Sequence, residues 1–272
     1  MKNRIDIFGS DGEPVFFAHA NGLPPGSYRQ LFDVLAPEYQ ILGIRHRPLW
    51  SESLPEAVDS WHHLTDDLLD TIKSQWQSPV WLMGHSMGAT TAMFAASREP
   101  ELFKGLVLLD PVFMPRRRIN MMRITPRAKR QRMPLIQKTL QRPHQWPDRQ
   151  SAFDFHRKAR TFRDMSDESL WDYIIAGTVE DGESGVRLAY SKYWEAHVFD
   201  SAPYVWRQLR KIELPILGMR GELSDTLALP AWQRWQRFTP QGRFVELAGA
   251  GHLFPLEQPV VTAREIKAYL LS

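Results

Sequence analysis

Short apolar runs alternate along most of the chain with stretches whose apolar residues recur at helical spacing. The runs are apolar on both faces, which is typical of strands in a parallel sheet that is covered by helices. The predicted strands are 3–9, 14–20, 39–45, 79–83, 105–110, 215–221 and 242–247. The predicted helices are 26–36, 58–76, 87–97, 230–238 and 258–272. This alternation predicts an α/β fold with a mostly parallel central sheet flanked by helices.

The strand pattern disappears between residues 111 and 214, where arginine, proline and aromatic residues are frequent and stretches such as 169–177 have helical periodicity. Long insertions in a compact domain are usually functional. We therefore predict a core domain formed by 1–110 and 215–272, with 111–214 inserted as a helical cap. The aromatic residues of the insertion would form the cap's own core, and a few would line an apolar pocket.

Charge is distributed unevenly, although the net charge of the 272 residues is only +3. Residues 111–163 hold 15 lysines and arginines against two acids, Asp148 and Asp154. The densest part, 115–134, suggests a solvated cationic face, a surface for an anionic substrate or membrane, or a nucleic-acid contact. No nucleic-acid motif accompanies it, so nucleic acid is not an expected partner.

Cysteine is absent, which excludes disulfides, a thiolate nucleophile and a cysteine-ligated metal. The histidines show no metal-ligand spacing. No apolar run approaches the length of a membrane span, and the first residues lack the apolar core of a secretory signal. We expect a cytoplasmic protein with neither metal nor cofactor.

The sequence GHSMG places Ser86 between Gly84 and Gly88, where a predicted strand meets a predicted helix. This is the pattern and the context of a nucleophile elbow, a sharp turn that exposes a serine hydroxyl above the sheet. A purely structural Gly-Ser turn is the alternative. Nucleophilic chemistry at Ser86 would need a histidine base and a carboxylate that orients it.

His252 has the best setting for the base, because it lies in a glycine-containing loop after the last predicted strand. Two aspartates follow predicted strands and could orient it. Asp225, after strand 215–221, is preferred, Asp110 at the end of strand 105–110 is the alternative, and Glu222 is a third candidate. The chain order Ser86, Asp225, His252 is the order expected for an α/β arrangement of this kind.

An oxyanion hole needs two backbone N–H groups directed at the developing negative charge. Met87, at the start of the helix after the serine, would supply one. The loop HANG at 19–22 would supply the other, through Asn21 or, as a close alternative, Ala20. The imidazole of His19 would support this loop.

The chain resembles the α/β-hydrolase superfamily over nearly its whole length, through HANG at 19–22, GHSMG at 84–88, RGELSD at 220–225 and GAGH at 249–252. The resemblance implies a cofactor-independent hydrolase with Ser86 as nucleophile, His252 as base, Asp225 as acid, and Asn21 and Met87 as oxyanion donors. It departs from the family in two places. Ala20 stands where many members have glycine, and only one predicted strand precedes the HANG strand.

The expected activity is hydrolysis of a small-molecule carboxylic ester with an apolar acyl or aromatic group, through an acyl-enzyme. The same residues could serve a C–C bond hydrolase, a lactonase, a perhydrolase or an acyltransferase. A non-catalytic ligand-binding protein with the same fold is the alternative outside enzymes.

Overall fold

A computed structural model describes residues 4–50, 54–58 and 60–271. Residue 3 of the first predicted strand, loop residues 51–53, residue 59 of the predicted helix 58–76 and residue 272 of the last predicted helix lie outside the described residues. The strands are β1 Ile5–Phe8, β2 Glu13–Ala18, β3 Tyr39–Ile44, β4 Val80–His85, β5 Phe103–Leu109, β6 Gln145–Trp146, β7 Thr178–Glu180, β8 Val186–Leu188, β9 Ile216–Gly221 and β10 Arg243–Leu247. The helices are α1 Arg29–Leu35, α2 Trp61–Gln75, α3 Met87–Arg98, α4 Arg116–Ile124, α5 Arg127–Arg130, α6 Pro134–Gln141, α7 Arg149–Arg157, α8 Asp167–Gly177, α9 Lys192–Asp200, α10 Trp206–Leu209, α11 Leu229–Phe238, α12 Phe254–Glu257 and α13 Pro259–Leu270.

The central sheet has seven strands in the order β1-β3-β2-β4-β5-β9-β10. All neighbouring pairs are parallel except β1 with β3, which is antiparallel. One side of the sheet carries α1 and α13, and the other carries α2, α3 and α11, each through buried apolar side chains. The predicted α/β class is confirmed, including the single strand before β2.

The direction of the strand order reverses at β2, since β3 lies on one side of it and β4 on the other. Loops that leave β2 and β4 at their carboxyl ends therefore diverge and leave a crevice between them, which is where open α/β sheets bind ligands. The loop HANG follows β2, and Ser86 follows β4. The topology thus places two of the sequence motifs at one edge of the sheet.

The segment between β5 and β9 contains helices α4 to α10 and a small antiparallel sheet in the order β6-β8-β7. This sheet was not predicted from the sequence, because strands of two or three residues are too short to show a period. Most of the aromatic side chains in the segment pack on one another. Phe153 stacks on Trp171 and Phe162 on Tyr173, with ring centroids 4.5 and 4.9 Å apart.

Within the described residues, no helix combines the length and the apolar character that a membrane span requires.

Candidate active site

Ser86 occupies the turn between β4 and α3 with φ 56° and ψ −116°. This is a region that non-glycine residues rarely adopt, and strain of this kind concentrates at functional sites. The two glycines make the turn feasible. A Cβ on Gly88 would lie 2.0 Å from the carbonyl oxygen of Ala18, and one on Gly84 would lie 2.6 Å from the backbone of Gly88. The GHSMG pattern is therefore required by the close approach of α3 to β2 and β4.

His252 lies in the loop after β10 and reaches both partners that a catalytic histidine needs. Its Nε2 is 3.0 Å from Ser86 Oγ, and its Nδ1 is 2.6 Å from Asp110 Oδ2. The carboxylate can only accept, so Nδ1 carries the proton and Nε2 is left to accept from the serine hydroxyl. About a quarter of the His252 side chain is exposed, so the ring faces the crevice.

Asp110 is fully buried directly after β5. The Ser86 N–H donates to Leu109 O at 2.9 Å, so the elbow is bonded to the residue that precedes Asp110. Asp110 has φ 43°, and its own N–H donates to Met219 O at 2.8 Å in β9. These bonds direct the Asp110 carboxylate toward His252. Asp110 follows β5, the strand next to β4, which carries the nucleophile.

The structure corrects the preference for Asp225. Asp225 lies four residues beyond β9, is exposed, and accepts a hydrogen bond from the Thr226 hydroxyl at 3.4 Å. The residue of this loop that points inward is Ser224, whose hydroxyl donates to Asp110 Oδ2 at 2.5 Å. Glu222, the third candidate, is also exposed and accepts from the Gly249 N–H at 2.7 Å.

His85 is fully buried beneath the site and belongs to its framework. The Ala20 N–H donates to the Tyr28 hydroxyl at 3.2 Å, the hydroxyl donates to His85 Nδ1 at 2.8 Å, and His85 Nε2 donates to His252 O at 2.9 Å. Burial, with His252 nearby, lowers the pKa of His85 well below its usual range. A neutral ring with one donor and one acceptor is the state that this chain of bonds requires.

The two expected oxyanion donors differ in what surrounds them. Met87 is the first residue of α3, so its N–H has no acceptor within the helix. The Ala20 N–H is engaged by Tyr28, which leaves Asn21 as the better choice in the HANG loop. The amide Nδ2 of Asn21 donates to Glu195 O at 3.0 Å.

Glu195 of α9 anchors the inserted segment on the HANG loop. Its carboxylate forms an ion pair with Arg142 at 2.5 Å and lies against Gly22, where a Cβ would be 2.9 Å from Oε2. Burial raises the pKa of Glu195, and Arg142 opposes that rise. The inserted segment therefore contacts the candidate oxyanion loop directly.

His19 supports the HANG loop from below, as the sequence suggested. Its Nδ1 donates to Ala20 O at 2.7 Å, and its Nε2 accepts from the His46 N–H at 3.2 Å. Burial is the largest cause that lowers the pKa of His19 to about 4. The ring is therefore neutral at neutral pH and bridges the loops after β2 and β3.

No group of three His, Asp or Glu side chains in the part of the chain that the structure describes is arranged to hold a metal ion.

The geometry is that of a serine and an aspartate at the carboxyl ends of the neighbouring strands β4 and β5, bridged by a histidine from the loop after β10. A sequence model of the "Alpha/beta hydrolase family" matches residues 15–265. The chain belongs to the alpha/beta hydrolase family. The resemblance expected from the four motifs is thus confirmed.

The hydrolase is similar to a "Monoglyceride lipase homolog" of Monkeypox virus, with 32% identity over 105 residues that cover 36% of this chain and 38% of that protein. The aligned part is thus well under half the length of that relative. The "Uncharacterized hydrolase YugF" of Bacillus subtilis (strain 168) is 22% identical and covers 98% of this chain and 97% of its own. The crystal structure of E-2-(acetamidomethylene)succinate hydrolase superposes with a TM-score of 0.80 at 19% identity, covering 98% of this chain and 95% of its own, which supports the fold.

Several residues of the site were missed by sequence reasoning. Tyr28 and Glu195 support the HANG loop from positions outside the four motifs, and Ser224 lies within RGELSD but was not singled out. For Ser224, the signal in the sequence was its place beside Asp225 in the loop after β9. That signal favoured Asp225, whereas the side chain that contacts Asp110 is that of Ser224.

Proposed function

We propose that the protein is a serine hydrolase of carboxylic esters in which Ser86, His252 and Asp110 act as the catalytic triad. The observation that carries the proposal is the bridge made by one imidazole, with Ser86 Oγ 3.0 Å from Nε2 and Asp110 Oδ2 2.6 Å from Nδ1. A serine hydroxyl becomes an effective nucleophile when such a base accepts its proton.

In the first half-reaction, Ser86 Oγ attacks the ester carbonyl while its proton passes to Nε2 of His252. Asp110 stabilises the imidazolium through Nδ1–H, and the Met87 and Asn21 N–H groups stabilise the oxyanion. The tetrahedral intermediate collapses when His252 returns the proton to the departing alkoxide. Water, activated by the same imidazole, then attacks the acyl-serine and releases the carboxylic acid.

The proposed substrate is a small molecule with an apolar acyl or aromatic group. The support comes from the surroundings of Met87, where Trp61, Leu64 and Val198 form a buried apolar cluster with it. Tyr190 and Trp194 of the inserted segment form a second such cluster with Val58. Similarity to a protein named monoglyceride lipase homolog is compatible with a substrate that has an apolar acyl chain. The inserted segment would then act as the cap over the site.

Hydrolysis of p-nitrophenyl esters of graded acyl length, by wild type and Ser86→Ala, tests the proposal. We expect turnover that peaks at one acyl length and falls by several orders of magnitude in Ser86→Ala, because the nucleophile is lost. Turnover that persists in a folded Ser86→Ala variant, or its absence at every acyl length in wild type, would contradict the proposal.

A further inference from the structure

A second concave site lies away from the triad. A cavity of about 450 Å³ opens between the start of α2, helix α4 and the chain from Asp200 to Gln208. We call it the α4 cleft. None of Ser86, Asp110 and His252 lines it. A volume of this size suits a small organic molecule.

The shape of the α4 cleft is fixed by Arg130. Its guanidinium donates to Asp200 Oδ1 at 2.6 Å, to Met122 O at 3.0 Å and to Thr125 O at 3.2 Å. These bonds hold the end of α4 and the end of α9 together. Arg130 and Asp200, which both line the cleft, therefore neutralise each other.

Two further arginines of the lining, Arg123 and Arg207, remain exposed and have no ion-pair or hydrogen-bond partner in the described part of the chain. Among the described residues that line the cleft, Asp200 is the only acid, and it is paired with Arg130. The cleft therefore has an uncompensated charge of about +2. The guanidinium group suits a carboxylate or a phosphate, which it can bind through two parallel hydrogen bonds.

The remaining lining is partly apolar. Ile119 and Met122 of α4 are buried, and Ala202, Pro203 and Tyr204 lie opposite them on the chain after α9. A ligand with both an apolar body and an anionic end matches this combination.

We propose that the α4 cleft binds a small amphipathic organic anion, with its apolar body on Ile119 and Met122 and its carboxylate or phosphate between Arg123 and Arg207. The site is separate from the triad and does not rest on the proposed esterase activity. The proposal gives a role to part of the cationic run 115–134. Other arginines of that run, such as Arg116 and Arg117, lie outside the cleft.

Equilibrium dialysis of labelled decanoate tests the proposal. It compares the wild type with Arg123→Gln/Arg207→Gln and with a matched control, Arg116→Gln/Arg117→Gln, that removes the same charge from the same surface. We expect one saturable site that weakens at least tenfold in the cleft variant, stays within twofold in the control, and binds decanol at least tenfold more weakly than decanoate. Ester turnover in the cleft variant should stay at the wild-type level.

Other outcomes would overturn the proposal. Equal weakening in both double variants would indicate general charge attraction, and unchanged binding in the cleft variant would place decanoate elsewhere. Binding that disappears when an organophosphate occupies Ser86, but survives in the cleft variant, would assign decanoate to the active site. Arginine-dependent binding to phosphatidylglycerol vesicles without binding of free decanoate would indicate a membrane contact instead. Failure of the esterase assay alone leaves the dialysis and vesicle readouts intact, because neither needs a nucleophilic Ser86.

Discussion

The loops that follow β5 and β9 leave neighbouring strands, and each contains an aspartate that could have oriented His252. Asp110 follows β5 immediately, is fully buried, and contacts His252. Asp225 follows β9 after four residues and is exposed. Chain position and residue type are similar in the two loops, yet only one carboxylate reaches the imidazole.

The difference lies in how each loop leaves the sheet. Asp110 stays bonded to β9 through Met219 O and turns inward at a positive φ. The β9 loop instead directs Ser224 inward, and its hydroxyl and the Gly221 N–H both donate to the Asp110 carboxylate. The second loop therefore supports the acid that the first one supplies.

The largest expected effect comes from removing each carboxylate in turn. Asp110→Asn should lower kcat by about 10⁴-fold, because an amide NH2 in the position of Oδ2 donates instead of accepting from Nδ1–H, so the wrong tautomer of His252 is favoured. Asp225→Asn should leave kcat within about twofold, because its exposed carboxylate accepts a hydrogen bond from Thr226 and none from His252 among the described residues. Turnover of a p-nitrophenyl ester by the two variants gives the comparison. A large loss in Asp225→Asn with little loss in Asp110→Asn would reverse the assignment.

Buried His19, below the site, should make the stability of the protein depend on pH. His19 titrates near 6.5 when unfolded but has a pKa of about 4 in the fold. The stability that the neutral His19 ring contributes is fully present above pH 6.5 and is lost as pH falls toward 4. The loss in the free energy of unfolding is about 3 kcal/mol. Urea unfolding at pH 7, 5.5 and 4.5 measures the slope of the free energy of unfolding against pH.

His19→Asn should reduce that slope even though it is less stable at pH 7, because the titrating ring is gone. Thr226→Ala serves as the control, because it changes no titratable group, and should keep the slope of the wild type over this range. An unchanged slope in His19→Asn would show that the buried ring is not the group responsible.

A smaller effect is expected from the hydroxyls beside the two aspartates. Ser224→Ala removes a donor to the Asp110 carboxylate, and a hydrogen bond to a charged group contributes about 1.5–3 kcal/mol, so kcat should fall by about 10- to 150-fold. Thr226→Ala removes the corresponding donor to exposed Asp225 and should change kcat by less than about twofold. Equal effects of the two substitutions would mean that Ser224 does not support the acid.

The fold was predictable because its strands are apolar on both faces and are separated by helical patterns. The positions of Ser86 and His252 followed from local signals, a glycine-flanked serine and a glycine-containing loop after the last strand. Their proximity in the structure agrees with the roles expected of them, and those roles remain predictions.

The orienting carboxylate could not be chosen from sequence, because periodicity does not tell which residue of a loop turns inward. That choice depends on the bonds from Asp110 to Met219 and from Ser224 to Asp110, which join residues more than 100 positions apart. The supports of the HANG loop, Tyr28 and Glu195, depend on tertiary contacts in the same way.

The most direct test of the central claim is proton NMR of the imidazole Nδ1–H of His252 in wild type, Asp110→Asn and Asp225→Asn. A proton held between Nδ1 and a carboxylate 2.6 Å away is strongly deshielded and protected from exchange. The account predicts a low-field resonance in wild type that persists in Asp225→Asn and disappears in Asp110→Asn. A resonance that persists in Asp110→Asn and disappears in Asp225→Asn would contradict it.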